Sequence, residues 1–238
     1  MKISFNSCQI KRAAFCVLFA LVGEWSVSSR AQTHPWPEGE KLVLSLFWPS
    51  GVNLGEATIQ SKTVGDVFQI SATVEAVLPQ NRITYSFDSE VTADLCSRRF
   101  RQAVRRGARN WEEVTVFDSV AGKATVSRDG GKREMAAPKC ARDPLAYLYY
   151  FRKQVAAGKR PSGDTLFLGG PVSLRIEALA EEKVKISQHG RQGDRYLVTY
   201  PGSTGDGFVE IWLERGLRQA PIAVRLPLPL ATFSAELQ

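Results

Sequence analysis

The sequence predicts a mostly β protein: an antiparallel curved sheet, closed as a barrel or open as a half-barrel, with one central α-helix. Three observations carry this. From residue 41 onward, short segments alternate apolar and polar residues with a period of two, as half-buried strands do. Turns rich in Gly, Pro and Asp separate them, and strand follows strand without the helices that parallel crossovers need. Against this background one stretch, Asp143-Pro144-Leu145, is a clear helix start.

The chain opens with a targeting signature. Lys2, Lys11 and Arg12 form a basic region, Ala13 to Val22 is a short apolar run, and Ser29-Arg30-Ala31 offers small residues for cleavage before Gln32. Residues 1–31 are therefore expected to be a secretory signal peptide, the alternative being a short membrane anchor, and 32–238 a single β-rich domain, exported to the periplasm or the extracellular side of a bacterial envelope. No later stretch approaches 18 apolar residues, so no transmembrane segment is expected in the mature part.

Gln32 to Glu38 is a Pro-containing, extended lead-in. Lys41 to Trp48 is apolar on both faces, as in a strand buried on both sides. Pro49-Ser50-Gly51 turns the chain into Asn53 to Gln60, whose Gly55, Ala57 and Ile59 face includes small residues that permit close approach. Val67 to Val77 alternates Phe68, Ile70, Ala72, Val74 and Ala76 with polar residues. Ile83 to Val91 places Ile83, Tyr85 and Phe87 on one face. Ser97 to Val104, Asn110 to Phe117 and Ala124 to Arg128 follow, and Asp129 to Pro138 is expected to be a polar loop.

Asp143 suits the helix N-cap, because its carboxylate accepts from an orphan N–H of the first turn. Pro144 suits the first helical position, where no N–H is needed. Leu145, Leu148 and Tyr149 then recur as one apolar stripe, which is expected to pack into the concave face of the sheet. Lys153 and Gly158 suit the helix end. Strands follow at Thr165 to Leu168, Val172 to Leu179, Val184 to Ser187, Arg195 to Tyr200, Phe208 to Glu214, Pro221 to Leu228 and Ala231 to Leu237.

The charge is modest once the leader is set aside. The whole chain carries 31 basic and 24 acidic residues, net +7; removing the four basic residues and one acid of residues 1–31 leaves 27 against 23. The cluster Arg98, Arg99, Arg101, Arg105, Arg106 and Arg109 is denser than average. A nucleic-acid partner is not expected, since recognition needs stacking aromatics and a compartment that holds nucleic acid. A solvated strand face is the plain reading of this cluster, and contact with acidic headgroups or polysaccharide the alternative.

Cys96 and Cys140 remain beyond the leader. In an oxidising compartment two lone cysteines pair, the alternative being two buried thiols. No metal is expected: this pair supplies too few ligands, and His34 and His189 do not complete a set. The sequence lacks Gly-x-Ser-x-Gly, His-Glu-x-x-His and a phosphate-binding loop, and adjacent Glu112-Glu113 face opposite sides of a strand. No enzyme activity and no cofactor are expected.

At the helix the chain resembles a known family. Asp143-Pro144-Leu145 with Leu148-Tyr149-Tyr150 and Arg152 is similar to the central motif of bacterial exported proteins catalogued as domain of unknown function 3108. Gly39-Glu40 with Leu42, Gly55-Glu56-Ala57, Phe117-Asp118, Trp212-Leu213, Pro221 and Leu226-Pro227 resemble its other motifs in order. The turn before Arg195 departs from the family pattern. The resemblance implies an antiparallel barrel or half-barrel of the kind that carries lipids, with no established activity.

Together these features point to a non-catalytic domain that binds or carries an apolar, lipid-like ligand. Trp48, Phe68, Tyr85, Phe87, Leu148, Tyr149 and Trp212 are the candidate ligand-lining residues, since large barrels enclose apolar cavities. The plain alternative is that they fill the core. A structural or protein-interaction component of the envelope is the second functional reading.

Overall fold

The computed structural model describes residues 38–78, 81–179, 192–202, 205–228 and 231–238. The expected signal peptide, His34, His189 and the expected strand Val184 to Ser187 lie outside the described residues. Among the described residues, fourteen strands and one helix follow in the order β1 (Lys41–Phe47), β2 (Asn53–Val64), β3 (Val67–Leu78), β4 (Asn81–Val91), β5 (Ser97–Arg106), β6 (Arg109–Asp118), β7 (Lys123–Arg128), β8 (Gly131–Ala136), α1 (Pro144–Ala156), β9 (Gly163–Phe167), β10 (Pro171–Ala178), β11 (Gly193–Gly202), β12 (Gly205–Glu214), β13 (Pro221–Leu228) and β14 (Ala231–Leu237).

All the pairings are antiparallel, and the strand order is β8-β7-β6-β5-β4-β3-β2-β1-β14-β13-β12-β11-β10-β9. Each half is a run of neighbouring hairpins, and β1–β14 pairing joins the halves. The sheet is curved and unclosed: β8 and β9 are its two edges. They are linked by side chains and by the lead-in to the helix rather than by a ladder. Arg133 on β8 donates to the Gly169 carbonyl beside β9 at 2.8 Å. The Ala141 carbonyl accepts from Ser97 N at 2.8 Å, while the Arg142 carbonyl accepts from Phe167 N at 2.8 Å.

The expected loop Asp129–Pro138 is instead mostly β8, paired with β7 from Lys123↔Ala136 to Arg128↔Gly131. Asp129 and Gly130 form the two-residue turn, both with positive φ (51° and 79°). That geometry suits a tight hairpin, and Asp-Gly is a strong sequence signal for it. The polar character of Lys132, Arg133 and Glu134 belongs to an exposed edge strand, where charge blunts further pairing.

Two glycines are fixed by close approach. A Cβ on Gly55 would lie 2.0 Å from the Glu75 carbonyl oxygen, and its φ of 144° is one that L-residues rarely adopt. Gly207 lies opposite Tyr200, whose ring covers it so closely that a Cβ would meet the ring at 2.5 Å.

The helix is wrapped on more than one side. Leu145, Ala146 and Tyr149 pack with Phe68, Ile70, Ala72, Val91, Leu95 and Phe100 of the first half of the sheet. Tyr147 and Phe151 pack with Leu174, Ile176, Tyr196, Val198 and Leu213 of the second half. The stripe expected on Leu145, Leu148 and Tyr149 is thus corrected: Leu145 and Tyr149 are buried, Leu148 is only half-buried, and Ala146, Tyr147, Phe151 and Arg152 are buried instead. A sheet that curves around a helix buries more of its circumference than a flat sheet. None of the helices among the described residues is long and apolar enough to cross a membrane.

Cys96 and Cys140 form a disulfide with Cα atoms 4.7 Å apart. It ties the start of β5 to the segment leading into the helix. Replacing both cysteines by serine should lower stability by roughly 2–4 kcal/mol, the usual effect of opening a loop of this size. Chemical denaturation against the oxidised wild type measures this, and an unchanged midpoint would show that the helix lead-in is held by its other contacts alone.

Candidate functional site

Two features gather around the helix: a buried polar network and an open aromatic face. The network begins with Arg152, fully buried on the ninth residue of α1. Its Nη1 and Nη2 each donate to Glu40 at 2.8 Å, a two-pronged ion pair with both side chains out of solvent. Its Nε donates to the Gln219 carbonyl at 3.0 Å and Nη2 also to the Arg218 carbonyl at 2.9 Å. The Tyr149 hydroxyl donates to Glu40 Oε2 at 2.9 Å, and the guanidinium lies 4.7 Å from the Tyr149 ring centre. Burial, then the nearby Glu40 charge, pushes the Tyr149 phenol upward, so it stays a donor. One helical turn therefore clamps the residue before β1 to the loop before β13.

At the other end of the helix Asp143 is fully buried. Its Oδ1 accepts from Leu145 N at 2.9 Å and Ala146 N at 3.1 Å, the expected N-cap. Its Oδ2 accepts from the Ser89 hydroxyl at 2.5 Å and the Ser97 hydroxyl at 2.6 Å, and Ser97 Oγ accepts in turn from Asp143 N at 2.8 Å. Burial raises the Asp143 carboxyl above its ordinary value, against these hydrogen bonds, which lower it. Every oxygen of Glu40 and Asp143 is thus engaged by the protein's own donors. This is an anchoring arrangement for the two ends of the helix.

The aromatic face lies on the same side of the sheet as the helix. Ser89, Phe87 and Tyr85 alternate along β4; Ser89 meets Asp143, Phe87 packs against the helix-side core, and Tyr85 is 38 % exposed. The rings of Tyr85 and Phe87 are nearly parallel with centres 6.3 Å apart, as are those of Phe87 and Phe100. This ladder leads from the helix core into the open. Tyr85 pairs in register with Val104, which pairs with Trp111, and the Arg128 guanidinium sits 4.6 Å over the Trp111 ring.

The structure brings together some of the sequence-predicted lining residues and separates others. Phe68 and Tyr149 meet edge-to-face, 5.6 Å between centres, deep in the core. Tyr85 and Phe87 line the concave face just described. Leu148 is half-buried on the helix. Trp48 lies beyond β1, edge-on to Phe233 at 4.9 Å, in a surface cleft of about 520 Å³ bordered by Arg225 and Glu236. Trp212 pairs in register with Arg195 and points away from the helix, since its neighbours Ile211 and Leu213 pack towards it. Its ring is covered by the Arg195 and Arg225 guanidinium groups at 5.2 and 5.0 Å and is only 1 % exposed.

A larger groove of about 610 Å³ crosses β1–β5 on the outer face, with Lys62, Gln69, Asp88, Glu90 and Arg99 among its lining residues. Its walls carry both signs of charge. Reading residue types alone misses the polar network, because Glu40 and Arg152 in isolation look like surface charges. The signal that finds them is their place in the family-like motifs Gly39-Glu40 and Tyr149-Tyr150-x-Arg152.

The comparisons agree with this architecture. The model of the family described as "Protein of unknown function (DUF3108)" matches residues 43–238. No curated relative matches the chain. Among solved structures, the chain is similar to a β-barrel-like protein of domain of unknown function DUF1849 from Brucella abortus, with a TM-score of 0.58 and 10% identity. The likeness covers 83% of this chain and 94% of that one, and at this identity it speaks to the fold alone.

Proposed function

We propose that this chain, which belongs to the DUF3108 family of proteins of unknown function, is an exported, non-catalytic domain that binds an apolar, lipid-like ligand on its concave face. The observation that carries the reading is the ring ladder Phe100–Phe87–Tyr85, which runs from the helix-filled core to an exposed tyrosine. Aromatic surface left half-open on the inner face of a curved sheet supplies the apolar lining that small-molecule sites use. The engaged carboxylates of Glu40 and Asp143 favour a binding role over catalysis. The basic start, apolar run and small residues before Gln32 support export.

Native mass spectrometry of protein purified from the cell envelope, with lipid extraction, tests both parts. The chain should begin at or near Gln32, and an apolar molecule should leave with it on denaturation. Uptake of a fluorescent apolar probe, N-phenylnaphthylamine, should fall several-fold in Tyr85→Ala and Phe87→Ala, since a stacked aromatic contact contributes on the order of 1 kcal/mol beyond its area. If the wild type retains no lipid and takes up no probe, the ladder is core filling and the binding reading fails.

A further inference from the structure

Resting on that reading, we infer that the ligand is a single-tailed amphiphile with an anionic carboxylate head, taken up as a monomer, whose head is held by Arg106 and Arg109. The rows of the concave face give the reason. Phe87 pairs with Gln102, and Tyr85 with Val104 and through it Trp111; the next row outward is Ile83, Arg106 and Arg109. Aromatic surface therefore ends in two cations at the tip of the β5–β6 hairpin.

Three of the five β5 arginines are held by acids, while Arg105, exposed like Arg106, lies on the opposite face of the sheet from Tyr85. Arg98 binds Asp66, Arg99 lies near Glu90, and Arg101 reaches both Asp88 and Glu112. Arg106 and Arg109 are exposed and have no ion pair or side-chain hydrogen bond among the described residues. They also pair directly with each other across the hairpin. Like charges opposite one another are destabilising, and an anion between them removes the repulsion. Guanidinium groups suit a carboxylate, which they can bind through two parallel hydrogen bonds. A tail lying over Tyr85 and Phe87 would place its head at this pair.

Calorimetric titration of the full chain with oleate, kept below its aggregation concentration, and with neutral monoolein tests this. Oleate should bind at least about tenfold more tightly, the scale of one charge-assisted hydrogen bond. Arg106→Gln/Arg109→Gln should erase that difference while leaving monoolein binding unchanged and without lowering the melting temperature, since it relieves a like-charge pair, and added salt should shrink the difference. Equal affinity for the two ligands in the wild type would overturn the anionic head while leaving the apolar site standing. Binding of neither would overturn both readings. Co-sedimentation with phosphatidylglycerol vesicles without binding of monomeric oleate would make the hairpin tip a membrane contact and overturn the inference.

Discussion

Glu40→Ala should destabilise the protein by roughly 3–5 kcal/mol, the effect of stranding one partner of a buried ion pair. Arg152 would keep its bonds to the Arg218 and Gln219 carbonyls but lose both prongs to Glu40. Tyr149 would lose its acceptor at the same time. Arg152→Ala should cost a similar amount, because it strands the Glu40 carboxylate and removes the donors to both carbonyls. The two effects should not add. Once either member is gone the Glu40–Arg152 interaction is already lost, so a double-mutant cycle should show a coupling of about 1–3 kcal/mol. Glu40→Leu/Arg152→Met should therefore lie nearer the wild type than the sum of the single changes. Adding Tyr149→Phe should recover more, since it removes a buried hydroxyl that has lost its Glu40 acceptor. Urea denaturation measures all of these. Single variants within about 1 kcal/mol of wild type would mean that this clamp does not hold the helix, given the usual cost of a stranded buried charge.

The position of this network explains what a sequence reader sees and misses. Strands are legible because each half of the sheet has one face against the helix and the other in water, which imposes a period of two on Val67–Leu78 and Asn81–Val91. The helix is legible because Asp143 and Pro144 act locally. Which rows face inward is not local. In β12 the alternation places Trp212 opposite Ile211 and Leu213, but only the packing of Tyr147 and Phe151 decides which set meets the helix. A tryptophan covered by two arginines is buried as deeply as one in the core. Leu148 is misread for a related reason: a stripe rule assumes one partner surface, whereas the curved sheet offers two. Arg152 breaks the rule that charged residues lie outside, and its partner stands 112 residues away.

Asp143→Ala should cost roughly 2–4 kcal/mol, combining loss of an N-cap with two buried hydroxyls left without their acceptor. Ser89, Ser97, Leu145 N and Ala146 N all donate to this one carboxylate. Asp143→Asn should cost distinctly less, because its amide oxygen can still accept from the two helix N–H groups. The pH dependence separates charge from shape. Burial raises the Asp143 carboxyl in the folded state above its ordinary value. The folded protein then holds this proton more tightly than the unfolded chain. The contribution is most favourable below the ordinary aspartate range and is lost as pH rises through that range towards the raised folded value. Asp143→Asn has no such proton to lose. Urea denaturation from pH 3 upward should show wild-type stability falling relative to Asp143→Asn across that window and the gap levelling above it. Parallel profiles for the two proteins would show that the carboxyl does not titrate there. An Asn variant as unstable as the Ala variant would show that the two serines need a full acceptor, and that the carboxylate, despite its burial, is what fixes the start of the helix.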